Sequence, residues 1–227
     1  MGTRVRTAIR RWVRDRGMGP FAFLEKLNGF LMFSAWTRAN RCPWFVESRN
    51  QLYSRVNEQL IGSGPMDYLE FGVFRGESIR AWVGMHHNPE SRFYGFDSFT
   101  GLPEAWEQGV TDKGAFNVHG KVPDIDDARV VFVSGYFQDT LGNFLDSVKL
   151  SKKLLIHMDA DLYSSTLYVL TALNRHIEPG TVIIFDEFYS VNHEFRAFMD
   201  FISASRRTYR IVAATTDYVQ VAVEILS

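Results

Sequence analysis

From residue 66 onward the chain alternates short apolar runs with segments of helical period, the pattern that a parallel sheet with crossover helices requires. The runs 67–73 (DYLEFGV), 92–97 (RFYGFD), 129–134 (RVVFVS), 153–158 (KLLIHM) and 181–186 (TVIIFD) predict strands, with helices near 76–88, 137–148, 164–176 and 192–205. The tail changes period: RIVAATTDYVQVAVEIL reads as two strands joined by a short turn around Thr216 and Asp217. So short a connection makes antiparallel neighbours. The expected architecture is α/β, a mostly parallel sheet finished by an antiparallel hairpin.

Two of these runs end in acidic pairs. Asp159 and Asp161 close LLIHMDAD, and Asp186 and Glu187 close TVIIFDE. The interval between them suits one strand, one crossover helix and the next parallel strand, so both pairs should emerge side by side at one sheet edge. Carboxylates from neighbouring strand ends make a place to hold a divalent cation, and the active site is expected there.

Three earlier strand ends add to this. After the first comes EFGVFRGES, Glu70 to Ser78, where Gly72 and Gly76 permit a tight turn before a helix N-terminus. The spacing misses the dinucleotide fingerprint G-x-G-x-x-G, and a structural turn explains it equally well. After the second comes Asp97, placed as an acid that accepts hydrogen bonds from a ribose diol in doubly wound folds. After the third comes GYFQD, in which Phe137 and Gln138 offer an apolar wall and an amide edge for a base, and Asp139 suits a helix cap.

The segment 98–128 is long for a connection inside a compact domain, and such loops tend to be lids or binding loops. It carries Trp106, Lys113, Phe116 and His119 among Gly101, Gly109, Gly114 and Gly120. It is expected to fold over the site, the alternative being an irregular surface insertion. His157, inside a strand, reads as a packed core residue. His193, at a helix start after the second acidic pair, is either a group facing the site or a capping residue. His86 and His87, at a helix end, fit the helix dipole.

Residues 1–65 read differently. The first sixteen residues hold six arginines against one acid, Asp15, with Val5, Ile9, Trp12 and Val13 at roughly helical spacing. This is either a basic amphipathic helix for an anionic membrane or partner, or a solvated helix face. Arginines interleaved with the apolar positions disfavour a secretory signal. From about Phe21 to Ile61 the chain reads as helices broken by CPWF and closed by GSGP, and rich in aromatics. We expect a helical cap or oligomerisation region over 1–65, and a homo-oligomer.

A formal net charge of −1 argues against nucleic acid as the main partner. Cys42 is the only cysteine, so the chain has no internal disulfide, which fits a reducing compartment and an expected cytoplasmic location. The most apolar early stretch, FAFLEKLNGFLMFSAW, is interrupted by Glu25 and Lys26, and no transmembrane helix is expected.

The order LEFGVFRGES, GFDSFTGLP, DADLYSST and PGTVIIFDEF resembles the macrocin and mycinamicin O-methyltransferases, the TylF/MycF-like family, over about residues 66–225. More distantly, the first-strand, Gln-Asp and Gly-Thr-Val motifs resemble catechol O-methyltransferase. The resemblance implies a Rossmann-like class I methyltransferase fold with a seven-stranded sheet over 66–227. It also implies S-adenosyl-L-methionine and Mg2+, or another divalent cation, as cofactors. The reaction would be methyl transfer to a hydroxyl of a small acceptor, a sugar or other natural product. Carried over by position, Glu70, Gly72 and Ser78 would hold the methionine end of the cofactor, Asp97 with Ser98 its ribose, and Phe137 with Gln138 its adenine. Asp159, Asp186 and Glu187 would ligate the metal. Where catechol methyltransferases place a lysine three residues after the first metal aspartate, this chain has Leu162. Asp161 and His193 are therefore the candidates for general base.

A different enzyme class also uses D-x-D after a hydrophobic strand. Asp159-Ala-Asp161 would serve a metal-dependent glycosyltransferase acting on a nucleotide sugar, a reading that leaves the glycine turn and Asp97 without a role.

Overall fold

The computed structural model describes residues 22–106, 111–150 and 153–227. The arginine-rich segment 4–16, Phe21 and Gly109 lie outside these residues. The elements in chain order begin with α1 (Ala22–Ala39), β1 (Phe45–Val46) and α2 (Arg49–Val56), which runs into a π-helical turn at Asn57–Ile61. Then follow β2 (Met66–Phe71), α3 (Glu77–Met85), β3 (Arg92–Asp97), β4 (Val130–Ser134), α4 (Phe137–Ser147) and β5 (Lys153–Met158). The chain closes with α5 (Tyr163–Leu173), β6 (Val182–Phe185), α6 (Glu194–Ser205), β7 (Tyr209–Thr215) and β8 (Val221–Ile225).

The strands form one sheet in the order β1-β7-β8-β6-β5-β2-β3-β4. Every pairing is parallel except those of β8, which runs against both β6 and β7. The expected parallel sheet with an antiparallel hairpin is thus present, with one difference. Phe45 and Val46 pair with Ala214 and Thr215 as an eighth edge strand. Two residues around a Pro-Trp break carry too little alternation to be read as a strand.

The chain runs outward from β2 through β3 to β4, then returns to lay β5 on the other side of β2. The order reverses between β2 and β5, and in open α/β sheets the crevice at such a point is where ligands bind.

Side chains alternate between the two faces of the sheet, as the two-residue period demands. Leu69, Phe71, Ile156, Met158, Ile183 and Phe185 point to the face covered by α4, α5 and α6. Tyr68, Leu155, Val182 and Ile184 point to the other face, where Leu52, Tyr53 and Val56 of α2 and Ile79 and Trp82 of α3 cover them. Helix α1 joins the first face: Phe33 packs edge-on against Phe195 with centroids 5.1 Å apart, and Trp36 Nε1 donates to Tyr209 Oη at 2.6 Å. The N-terminal region therefore supplies core residues to both faces.

His86, just after α3, differs from the sequence reading. His86 is buried, with Nε2 2.8 Å from Ser91 Oγ and Nδ1 3.3 Å from Asn57 Oδ1. Burial, reinforced by the Arg129 cation, lowers its pKa. It is a polar link between the π turn and the start of β3, not a cation placed on the helix dipole.

Candidate active site

At the C-terminal ends of β2 to β6 lies a cleft of about 260 Å³. It brings together Gly72, Asp97, Ser98, Phe137, Gln138, Asp159, Asp161, Asp186 and Glu187 among its lining. Nine of the twelve residues proposed from the sequence as cofactor, metal or base groups thus share one cavity at the point where strand order reverses. Glu70, Ser78 and His193 do not line it.

One wall is the turn after β2. Gly72 has φ +95°, and a Cβ built on it would stand 1.8 Å from the carbonyl oxygen of Asp159. The ends of β2 and β5 touch backbone to backbone there, with Asp159 N donating to Phe71 O and Gly72 N to Phe96 O, both at 2.9 Å. Asp97 fastens the same turn. Its Oδ2 accepts from Val73 N at 2.8 Å and Phe74 N at 2.7 Å, and its Oδ1 from Phe99 N at 2.7 Å. Asp97 also lines the cleft. Asp97→Ala strands three amide donors and is expected to lower the unfolding free energy by about 1–3 kcal/mol, read by urea denaturation.

The long connection after β3 folds onto the cleft. Leu102 bonds backbone to backbone with Gly114 and Ala115, Gly114 N donating to Leu102 O at 2.9 Å and Leu102 N to Ala115 O at 3.0 Å. Ser164 Oγ, at the start of α5, donates to the Glu104 carboxylate. Trp106 and Phe116 line the cleft, where Phe116 meets Phe74 edge-on at 5.8 Å. His193 precedes α6 and accepts weakly from Tyr163 N at 3.4 Å, with its ring 6.3 Å from that of Trp106.

The floor is a set of carboxylates. β5 and β6 pair in parallel, Met158 opposite Phe185, so Asp159 and Asp186 leave the sheet side by side as expected. Asp161 is buried and holds φ +59°, a conformation that is costly for most non-glycine residues and concentrates at functional sites. Burial, then the charges of Glu187 and Asp186, push its pKa up to about 7. Glu187 is likewise pushed up to about 7 by burial and Asp186. Asp159 is raised by burial, Asp186 and Asp161. Asp186 goes the other way: burial opposes its charge, but His157 and Arg49 outweigh it and hold its pKa down.

Asp186 stays ionised because of residues under the floor. Glu70, His157 and Asp186 alternate onto the α2–α3 side of the sheet, and His157 is fully buried between the two acids. Its Nδ1 lies 3.6 Å from Glu70 Oε2 and its Nε2 3.8 Å from Asp186 Oδ1. Burial alone would lower its pKa; Asp186 and Glu70 reverse this and raise it to about 10. Tyr68 Oη donates to Glu70 and stands 2.9 Å from His157 Nδ1, while Tyr53 Oη is 3.3 Å from Nε2. Arg49 Nη1 approaches Asp186 Oδ2 at 3.8 Å. Ser78 caps this layer through Tyr53. The packed-core reading of His157 holds, and it is a core residue that carries charge.

Glu194 is the residue that sequence reading passed over. It is fully buried in the first turn of α6, and its two oxygens accept from Ala160 N at 3.2 Å and Glu187 N at 3.0 Å. One side chain thereby ties both acidic loops together. In the sequence it looks like any acid in a helix's first turn. Arg49, Tyr53 and Tyr68 were missed for a related reason: their role depends on which sheet face they meet.

Among the described residues, no three His, Cys, Asp or Glu side chains converge closely enough to ligate one ion. Asp159, Asp186 and Glu187 share the cleft, but Asp186 leans toward Arg49 and His157. The donor set nevertheless fits a hard cation in kind. It is all oxygen, its charges repel one another, and Asp186 Oδ1 and Glu187 Oε2 are buried with no hydrogen-bond partner.

The chain is 30% identical to an 8-demethyl-8-(2,3-dimethoxy-alpha-L-rhamnosyl)-tetracenomycin-C 4'-O-methyltransferase of Streptomyces olivaceus, over 58% of this chain and 56% of that one. It is 28% identical to a demethyldecarbamoylnovobiocin O-methyltransferase of Streptomyces niveus, with the same shares, and 25% identical to a mycinamicin III 3''-O-methyltransferase of Micromonospora griseorubida over 61% of each. The matches span a little over half the length of these relatives. Among solved structures, the O-methyltransferase NovP superposes with a TM-score of 0.60 at 24% identity, covering 79% of this chain and 80% of NovP. The calicheamicin methyltransferase CalS11 gives 0.60 at 22%, covering 77% and 76%. These likenesses establish the class I methyltransferase fold. The profile described as Macrocin-O-methyltransferase (TylF) matches residues 47–221, from just before Arg49 to the start of β8, and the chain belongs to that family.

Proposed function

We propose that the protein transfers a methyl group from S-adenosyl-L-methionine to a hydroxyl of a sugar or other natural-product acceptor, assisted by Mg2+ or a similar divalent cation. The observation that carries this reading is the shared cleft: the glycine turn and Asp97 open onto the same cavity as Asp159, Asp161, Asp186 and Glu187. The relatives' names, with their 4'-O and 3''-O positions, support a hydroxyl acceptor.

The cofactor's sulfonium supplies an activated methyl group, so the protein has mainly to bind, align and deprotonate. Gly72 lets the backbone come close to the cofactor, Asp97 offers acceptors to its ribose, and Phe137 and Gln138 border its base. Glu70 and Ser78 act from beneath the turn, through Tyr68 and Tyr53. A divalent cation held by Asp159, Asp186 and Glu187 would lower the pKa of the acceptor hydroxyl and fix its direction. Trp106 and Phe116 exclude water above the acceptor and offer faces for a sugar ring. Asp161 takes the proton: its carboxylate lines the cleft beside the metal ligands, and a base that titrates near neutrality suits the task. His193, whose Nδ1 already accepts from Tyr163 N, is the weaker candidate.

The role of the metal has its own test. Turnover of a glycoside acceptor should fall at least about a hundredfold with EDTA and return with Mg2+. In calorimetry, Mg2+ should bind the chain loaded with S-adenosylhomocysteine at one site, and Asp159→Asn should remove that site. Full turnover in EDTA, with no Mg2+ binding, would retire the metal while leaving methyl transfer standing.

A further inference from the structure

Helix α1 has two apolar sides. Gly29, Phe33 and Trp36 face the protein: Gly29 is seated so closely that a Cβ would stand 2.9 Å from Val191 and Asn192. At 100° per residue, Phe23, Leu24, Leu27, Phe30 and Leu31 fall within an arc of about 120° roughly opposite that seat. They are 43–62% exposed. Exposed leucines are ordinary one at a time, but five large apolar side chains contiguous on one helix face mark an interaction surface.

The charge around this face says what fits it. Residues 1–41 contain nine Lys and Arg against two Asp and Glu, whereas the remaining 186 residues contain 16 against 24. A chain of net charge −1 thus concentrates its positive charge on the segments leading into and out of α1. We propose that the exposed apolar face of α1 docks the protein on an anionic lipid bilayer, lying in the interface without crossing it, with the cations that flank it in sequence drawn to the same surface. A strongly apolar helix face and flanking cations are the two signals that together give stable interfacial binding. A second copy of the chain carries the same positive excess in residues 1–41, so charge favours an anionic surface over that pairing.

The dock adjoins the site. Phe33 packs on Phe188 and Phe195, and Gly29 rests on Val191, all within or beside the segment that joins Glu187 to α6. A bilayer under α1 would hold this edge of the sheet, and the loop carrying Glu187, at the lipid surface. The dock does not depend on the reaction proposed above.

Co-sedimentation of the full chain with vesicles tests it. With vesicles of phosphatidylcholine containing one-third phosphatidylglycerol, binding should exceed that to pure phosphatidylcholine by about tenfold or more and weaken as salt rises. Leu27→Glu with Leu31→Glu should cut binding by about tenfold, and Arg10→Ala with Arg11→Ala and Arg14→Ala should do likewise. Both leucines are exposed, so the melting temperature of the leucine variant should match that of the parent. Failure of the parent to bind anionic vesicles would overturn the proposal, as would binding that ignores the leucine changes. A dimer by light scattering that the leucine variant splits, with no vesicle binding, would assign the face to a second copy instead.

Discussion

Asp161→Asn is expected to lower kcat by about 10²–10⁴ while leaving the fold intact, the range over which a positioned general base contributes. Asparagine is the right replacement because Asp161 sits at φ +59°, where Asn is among the best tolerated residues. The amide keeps the shape and removes only the proton acceptor. The melting temperature and the affinity for S-adenosylhomocysteine should therefore stay near those of the parent, with KM for the acceptor changed far less than kcat. A loss confined to KM would make Asp161 a binding group, and an unchanged kcat would move the base elsewhere, with His193 next to be replaced.

Gly72→Ala should have the largest effect on the fold of any single methyl addition near the cleft. The new Cβ would meet the Asp159 carbonyl oxygen at 1.8 Å, and both partners are backbone at the paired ends of β2 and β5. Neither can swing aside as a side chain would. Steric overlap and the left-handed φ together should cost about 3–5 kcal/mol, against a total stability of about 5–15 kcal/mol for an ordinary domain. Gly62→Ala provides the control. Gly62 also has positive φ, at +67°, but a Cβ there meets nothing within 4 Å. It should cost about 1–2 kcal/mol, the conformational part alone. Equal losses in the two variants would show that φ, not the contact between β2 and β5, governs Gly72.

The contrast between these two glycines also explains what could be read from the sequence. The strand runs, the crossover helices and the closing hairpin were legible because period and turn chemistry are local. So were the residues that line the cleft, since each stands at a strand end and the topology gathers strand ends at one edge. What stayed hidden depends on pairing across the fold. That His157 lies between Glu70 and Asp186 follows from the register of β2, β5 and β6, which no single run encodes. Glu194 reaches two loops that are brought together only in the folded state. The strand at Phe45–Val46 exists because β7 offers it an edge. Glu70 shows the same limit from the other side: its place on β2 was readable, but its burial against Tyr68 and His157, away from the cleft lining, was not.

The central claim is that one cleft binds the methyl donor beside the acidic floor. Calorimetric titration of S-adenosylhomocysteine into the full chain tests it most directly. A single site is expected, weakened at least about tenfold by Asp97→Ala because the turn that meets the ribose loses its fastening. No heat with S-adenosylhomocysteine or S-adenosylmethionine, together with Mg2+-dependent binding of a nucleotide sugar that Asp159→Asn abolishes, would contradict it and assign the acidic pairs to glycosyl transfer.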